Sequence, residues 1–332
     1  MEAKRFIIAG GGTGGHIFPA IAIANALKAA VPNAKFLFVG AKGKMEMEKV
    51  PQAGYEIVGL TIAGFNRSSL IKNIGLPVKL IRSFFQVSGI ISKFKPDAVI
   101  GVGGYSSFPV LRYAQSKGIP TFIHEANSFA GKSNMMLGKK AVTVFTATPG
   151  MEKFFPKEKI IVSGNPVRKS ILQADKDKKD CLATFGLSPD KKTVLSIGGS
   201  LGAQSINDAI EAHIELFEEN NLQLIWQTGK HYIDKAKAVC AGRKNIYVSD
   251  FITRMEYAYG ASDIVISRSG AMSVSELCIA SKPVVFVPYP HAAEDHQTAN
   301  AKKLVDQQAA LMISDNAALR ELVPAVISLS KD

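Results

Sequence analysis

Short apolar runs rich in β-branched residues recur along the chain, separated by longer segments with helical spacing of apolar and polar positions. In the first half these runs are RFIIAG, KFLFVG, YEIVGL, DAVIGVG, TFIHE, VTVFTA and IIVSGN. In the second they are TVLSIGG, LQLIWQTG, NIYVSDF, DIVISRS, PVVFVPYP and AALMISD. Strands alternating with helices predict an α/β protein whose sheets are parallel and covered by helices on both faces. Each half opens alike, with KRFIIAGGGTGGH from residue 4 and KTVLSIGGSLGAQ from residue 192, so two Rossmann-like domains in tandem are expected, 1–164 and 165–332. Gly164-Asn165-Pro166 is the expected hinge, because proline restricts the residue before it and the charged ADKDKKD follows closely. A ligand is then expected in the cleft between the domains, at the carboxyl ends of the strands.

Composition narrows the class. With 332 residues and 47% hydrophobic content the chain can bury two cores, yet no run reaches the roughly 18 uninterrupted apolar residues of a membrane span. MEAKRFIIAGGG lacks the layout of a secretory signal, so a cytoplasmic location is expected. Cys181, Cys240 and Cys278 are odd in number and far apart, which predicts reduced and mostly buried thiols with no disulfide framework or zinc cluster. A net charge of +12 calls for an anionic partner: nucleic acid, a phospholipid surface or a phosphorylated substrate. No nucleic-acid reader motif or basic-aromatic platform is present, so nucleic acid is set aside.

Five glycines crowd the turn IIAGGGTGGH, and Gly10, Gly12 and Gly15 satisfy G-x-G-x-x-G. A nicotinamide site would need an acid at the end of the second strand, where Val39-Gly40-Ala41-Lys42 stands instead. A G-x-x-x-x-G-K-[ST] loop is also missing, which counts against nucleoside triphosphate hydrolysis. Related turns follow at Gly103-Gly104-Tyr105-Ser106-Ser107, Gly198-Gly199-Ser200-Leu201-Gly202 and Ser267-Arg268-Ser269-Gly270. Any one of them could simply connect a strand tightly to a helix. Four at one end of two sheets favour oxygen-rich anions, which backbone N–H groups at helix starts bind well.

The motifs GGGTGGH with Pro19, GGYSSFP from 103, HEAN from 124, GNPVR from 164, GGSLGAQSIN from 198, SRSGAMSVSEL from 267 and HAAEDHQTANA from 291 together resemble the MurG family of bacterial transferases. They run in the family's order over almost the whole chain. The resemblance implies a glycosyltransferase B fold and an inverting transfer of N-acetylglucosamine from UDP-N-acetylglucosamine to the 4-hydroxyl of the muramyl sugar of lipid I, the undecaprenyl-diphosphate-linked muramyl pentapeptide. The product is lipid II, for peptidoglycan synthesis. It implies a first domain that receives the lipid acceptor and a second that holds the donor, with no cofactor. Asp-x-Asp is lacking where a metal would bridge a diphosphate, so metal-independent catalysis is expected.

The same resemblance assigns roles. Glu276 would bind the ribose hydroxyls, unless it is a capping-box glutamate. Ile252 would offer its backbone to uracil, while Ser200, Ala271, Met272 and Ser273 would hold the diphosphate. Arg168 would add a positive charge there or form a hinge salt bridge. His296, Gln297 and Asn300 match sugar-binding positions, with Gln297 the firmest, and Thr13, Gly14, Gly15 and Asn127 complete the donor set. Gly14, His16, Gly103, Gly104 and Tyr105 are expected at the acceptor. His16 would be the base, or would bind the acceptor diphosphate when protonated, against the plainer reading of a histidine bonding locally at a helix start. Glu125, with Asn127 nearby, is the reserve candidate for the base or for an acceptor contact.

Residues 57–96 hold no acid but carry Arg67, Lys72, Lys79, Arg82, Lys93 and Lys95. Leu70, Ile71, Ile74, Leu76, Val78, Leu80, Ile81, Phe84 and Phe85 are interspersed with them, which suits either an amphipathic core helix or an element lying on an anionic bilayer. The resemblance favours the bilayer, on the cytoplasmic face of the inner membrane, with cell-wall synthesis and division proteins as further partners. Two alternatives remain at this point: a non-catalytic UDP-sugar-binding subunit and a UDP-N-acetylglucosamine epimerase. The resemblance also implies a helix after VISLSKD that packs back on the first domain, so a chain that is truncated or lacks that element is expected.

Overall fold

The computed structural model describes residues 3–64, 75–167, 169–172, 177–199, 201–292 and 295–331. Two compact units divide the chain, Met1–Pro166 and Val167–Asp332. In the first, the strands are β1 (Arg5–Ala9), β2 (Lys35–Ala41), β3 (Glu56–Leu60), β4 (Ala98–Gly101), β5 (Thr121–Glu125), β6 (Thr143–Thr146) and β7 (Ile160–Val162). In the second they are β8 (Lys192–Ile197), β9 (Leu222–Gln227), β10 (Ile246–Ser249), β11 (Ile264–Ser267), β12 (Val284–Phe286) and β13 (Leu311–Met312). Every expected apolar run contributes a strand.

Among the described residues the first sheet has the order β3-β2-β1-β4-β5-β6-β7 and the second β10-β9-β8-β11-β12-β13. All pairings are parallel. Consecutive residues of the central strands are buried on opposite faces, which is why these strands read as continuous apolar runs and not as alternating ones. Ile7 packs in one core layer and Ile8 in the other, and Val194 and Leu195 do the same in the second unit. Trp226, Phe217 and Leu322 anchor one layer of the second unit, with Phe286, Leu182 and Leu277 in the layer beneath. Cys181 and Cys240 are buried as expected, but Cys278 is exposed on the helix Ala271–Ala280.

Both sheets reverse winding direction at one place, between β1 and β4 in the first and between β8 and β11 in the second. In open parallel sheets this switch point opens a crevice at the carboxyl ends, where ligands bind. The four glycine-containing turns singled out in the sequence follow β1, β4, β8 and β11, the strands that flank the two switch points.

Candidate functional site

At the first switch point, the turn after β1 leads into the helix Gly14–Ala30, with Thr13 as its extended N-cap. The turn after β4 lies directly against it. Gly104 has φ +84°, and a Cβ there would collide with the Gly11 carbonyl. Part of the glycine demand is therefore backbone packing between adjacent turns, in addition to any ligand.

His16 is half-buried in the first turn of that helix. Its Nδ1 lies 3.2 Å from the Gly11 carbonyl and 3.3 Å from Thr13 Oγ1. A carbonyl only accepts, so the Gly11 contact requires the proton on Nδ1 and makes Nε2 the basic nitrogen. A Cβ on Gly103 would stand 2.9 Å from both Cδ2 and Nε2, so the bare backbone of Gly103 leaves room beside the basic edge of the ring. Tyr105 packs its ring against Gly12 and Gly64. Its buried hydroxyl makes no hydrogen bond within the described residues, and burial, then the Glu46 charge, push its pKa up.

Glu125, at the end of β5, is buried, and both oxygens are engaged. Oε1 accepts from the Asn127 N–H at 3.1 Å and from Asn127 Nδ2 at 3.3 Å. Oε2 accepts from the Gly131 N–H at 3.1 Å and from Asn134 Nδ2 at 2.9 Å. Four donors on one carboxylate anchor the loop that carries Asn127, an arrangement that commits both oxygens to positioning that loop.

Two residues that sequence reasoning missed complete this side. His124 is 3% exposed, and neither ring nitrogen makes a well-formed hydrogen bond. Burial pushes its imidazole down to about 4, a nearby Gly164 backbone group opposes that shift, and the His16 charge adds to it. Glu46 is 1% exposed at the start of the helix Glu46–Gln52. Its Oε2 accepts the Gly12 N–H and its Oε1 the Ala41 N–H, each at 3.0 Å. The second strand does have an acid after it, five residues beyond its end, but that carboxylate is sealed beneath the glycine turn. HEAN carried a signal for His124, while nothing local marked Glu46.

At the second switch point the turn after β11 starts the helix Ala271–Ala280, whose N-cap is Gly270 and whose first turn holds no acid. Ala271, Met272 and Ser273 form that first turn, where helix geometry provides N–H groups and a partial positive charge for an anion. Glu276 is the sixth residue of this helix, so it is not the third-position glutamate of a capping box. It is 7% exposed, and its Oε2 accepts from the Tyr259 hydroxyl at 3.1 Å. Asn300 Nδ2 donates to the Ser269 carbonyl at 3.2 Å, which brings the helix His296–Val305 to the same turn. Gln297 accepts the Tyr289 N–H at 2.9 Å, and His296 opens the helix, half-buried. The Ile252 N–H donates to Gln227 Oε1 at 3.0 Å.

Arg268 is the brace of this region. Its guanidinium donates to the Val287 and Pro288 carbonyls at 2.9 and 3.1 Å, to Ser205 Oγ at 3.1 Å and to Asp315 at 2.5 Å. Arg168 and Ser200 lie outside the described residues.

The geometry has counterparts among known proteins. Residues 6–146 match the glycosyltransferase family 28 N-terminal domain and residues 193–331 the family 28 C-terminal domain. A Parabacteroides distasonis protein named UDP-N-acetylglucosamine--N-acetylmuramyl-(pentapeptide) pyrophosphoryl-undecaprenol N-acetylglucosamine transferase is 52% identical over 100% of this chain and 91% of its own length. The chain belongs to the MurG family. A Bacteroides thetaiotaomicron protein of the same name is 51% identical with the same coverage. The crystal structure of Acinetobacter baumannii MurG superposes with a TM-score of 0.74 at 30% identity, covering 98% of this chain and 91% of that one. As a MurG-family member the chain is a hexosyltransferase with the two-domain glycosyltransferase B fold, as the sequence motifs implied.

Proposed function

We propose that this chain transfers N-acetylglucosamine from UDP-N-acetylglucosamine to the C4 hydroxyl of the N-acetylmuramyl sugar of lipid I, with inversion at the anomeric carbon. The observation that carries the reading is the 52% identity to the Parabacteroides transferase across the whole chain. Family membership also disfavours the epimerase and the non-catalytic subunit.

The described residues fit the chemistry. In the second unit, the Ile252 carbonyl accepts the uracil N3–H and the Glu276 carboxylate accepts from the ribose hydroxyls. The first turn at Ala271, Met272 and Ser273 faces the diphosphate, and the family motifs assign Ser200 and Arg168 to the same group. By the family motifs, Asn300, Gln297 and His296 are assigned to the sugar, and Thr13, Gly14, Gly15 and Asn127 also belong to the donor set. His16 Nε2 takes the proton of the acceptor hydroxyl while that oxygen bonds to the anomeric carbon. The bond to the diphosphate oxygen breaks, and UDP leaves with the electron pair, its charge stabilised by the helix start. Gly14, Gly103, Gly104 and Tyr105 line the acceptor side, and Glu125 holds its loop in place. We favour His16 over Glu125 as base because the Glu125 oxygens already accept four hydrogen bonds. No metal enters this scheme.

The lipid acceptor calls for a membrane surface. The helix Leu76–Phe94 turns Val87 and Ile91 to the core yet exposes Val78, Ile81 and Phe85 at 61, 59 and 77%. Positions i, i+3 and i+7 share one face, and Lys79 and Arg82 are exposed near them. Exposed apolar residues beside cations suit the anionic cytoplasmic leaflet. The companion residues Arg67, Leu70, Ile71, Lys72 and Ile74 lie outside the described residues. No helix among the described residues is long and apolar enough to cross a membrane. Docking beside cell-wall synthesis and division proteins follows from the same role.

Acceptor-dependent release of UDP, with a short-chain lipid I analogue gaining the mass of one N-acetylhexosamine, is the expected result. Nucleotide binding without transfer, beside a working control enzyme, would contradict it.

A further inference from the structure

Gln227 ends β9, beside the central strand β8, and is 4% exposed. Both ends of its amide are engaged. Nε2 donates to the Gly199 carbonyl at 3.0 Å, and Oε1 accepts the Ile252 N–H at 3.0 Å. The two backbone segments it joins are 53 positions apart, and both belong to the donor site proposed above: the glycine turn after β8 and the residue set against the uracil.

We propose that Gln227 is a positioning residue that couples base recognition to diphosphate recognition in the donor site. The inference rests on the donor-site reading and adds to it a residue that touches no part of the nucleotide.

Three features make the clamp rigid. The Gly199 carbonyl also accepts the Gly202 N–H at 3.1 Å, closing a tight turn, so the Gln227 amide holds that turn from the strand side. Gly202 has φ +80° and approaches the Thr228 carbonyl so closely that a Cβ would collide with it. The neighbours of Gln227 are tied down as well: Trp226 Nε1 donates to Asn207 Oδ1, and Asn207 Nδ2 donates to the Thr228 carbonyl, both at 2.9 Å. The strand around Gln227 is thus held by buried hydrogen bonds on both sides of it. The one amide ties the Gly199 carbonyl of the turn after β8 to the Ile252 N–H.

The chemistry demands a side chain that donates at one end and accepts at the other. Gln227→Met keeps the length and loses both bonds, while Gln227→Glu keeps the acceptor at Ile252 and sets a carboxylate against the Gly199 carbonyl. Calorimetric titration with UDP and CDP, alongside melting curves and donor and acceptor KM values, tests the coupling. Gln227→Met is expected to bind UDP at least about tenfold more weakly, the loss of one to two hydrogen bonds' worth of order. It should narrow the preference for UDP over CDP and raise the donor KM with the acceptor KM unchanged. A residue that served stability alone would leave the nucleotide preference and the KM split unmoved. If wild type fails to bind UDP, the donor-site reading falls and the inference with it. If wild type binds UDP while folded Gln227→Met matches it within about twofold in affinity and in UDP-to-CDP preference, the inference alone is overturned. Should Gln227→Met fail to fold, the isosteric Gln227→Glu decides by the same two comparisons.

Discussion

Glu46 Oε2 accepts the Gly12 N–H at 3.0 Å while its other oxygen holds the Ala41 N–H. One buried carboxylate thus pins the first glycine turn to the end of β2. It also withholds the Gly12 N–H from any phosphate, so anion contacts of this turn fall to the helix start beyond it. Glu46→Gln keeps the volume but has a single acceptor oxygen, which leaves one backbone N–H unsatisfied and sets an amide donor against another. Urea unfolding of the first unit is expected to lose about 1–3 kcal/mol. An unchanged unfolding midpoint would show that the carboxylate does not hold the turn.

The His16 assignment makes a kinetic prediction. His16→Ala removes the Nε2 base but none of the second unit's nucleotide contacts, so turnover should fall by about 100-fold or more with UDP affinity nearly unchanged. Gly103→Ala should also impair turnover, because the new methyl group would stand 2.9 Å from Nε2 at a residue with φ +92°. Turnover at wild-type level in His16→Ala, measured with a lipid I analogue, would remove His16 from the mechanism.

His124 gives a pH signature. Unfolded, its imidazole titrates near 6.5; folded, burial holds it at about 4. Between those values the unfolded state binds the extra proton, so stability rises with pH across the window and is lost as pH falls from 6.5 toward 4. The shift corresponds to about 3 kcal/mol in the first unit. Urea midpoints measured across this range should decline in wild type and decline less in His124→Gln. Parallel pH profiles for the two proteins would place the titration elsewhere.

The strands and the helix-opening turns were legible because each leaves a local mark. A parallel strand buried on both faces, such as TVLSI or LQLIW, is a continuous apolar run, and a turn crossing a switch point needs glycine. Glu46 and Gln227 left no such mark, because Glu46 reaches Gly12 34 positions away and Gln227 reaches Ile252 25 positions away, while the HEAN motif pointed to His124 without revealing its burial. Glu125 shows the intermediate case. Its place beside a glycine-turn site was readable, but the four donors that make it a loop anchor come from a fold-back no periodicity predicts. Glu276 was ambiguous between cap and ligand contact until the helix start at Ala271 placed it beyond the capping position.

Glu276 then offers a test of the donor pocket. Tyr259 donates to its carboxylate at 3.1 Å, on the buried side of the helix Ala271–Ala280. Glu276→Gln keeps the shape and replaces an anionic acceptor by a neutral amide, so UDP affinity should drop by about tenfold, while 2′,3′-dideoxyuridine diphosphate should bind wild type and variant alike. An equal loss for both nucleotides would mean that Glu276 supports the helix and does not read the ribose.

Membrane docking is testable apart from catalysis. Val78, Ile81 and Phe85 are exposed, so replacing all three by serine removes apolar surface without opening a cavity, and the melting temperature should hold. Binding to vesicles rich in anionic lipid should fall sharply, since each apolar side chain contributes about 1–3 kcal/mol when it leaves water. Lys79→Glu with Arg82→Glu should act differently, abolishing the preference for anionic over neutral vesicles at low salt and losing its effect as salt screens the charges. Activity toward a short-chain, water-soluble acceptor should survive both sets of changes, because neither touches the residues around His16 or Glu276. Vesicle binding that is equal for wild type and the serine variant would assign this face to another partner.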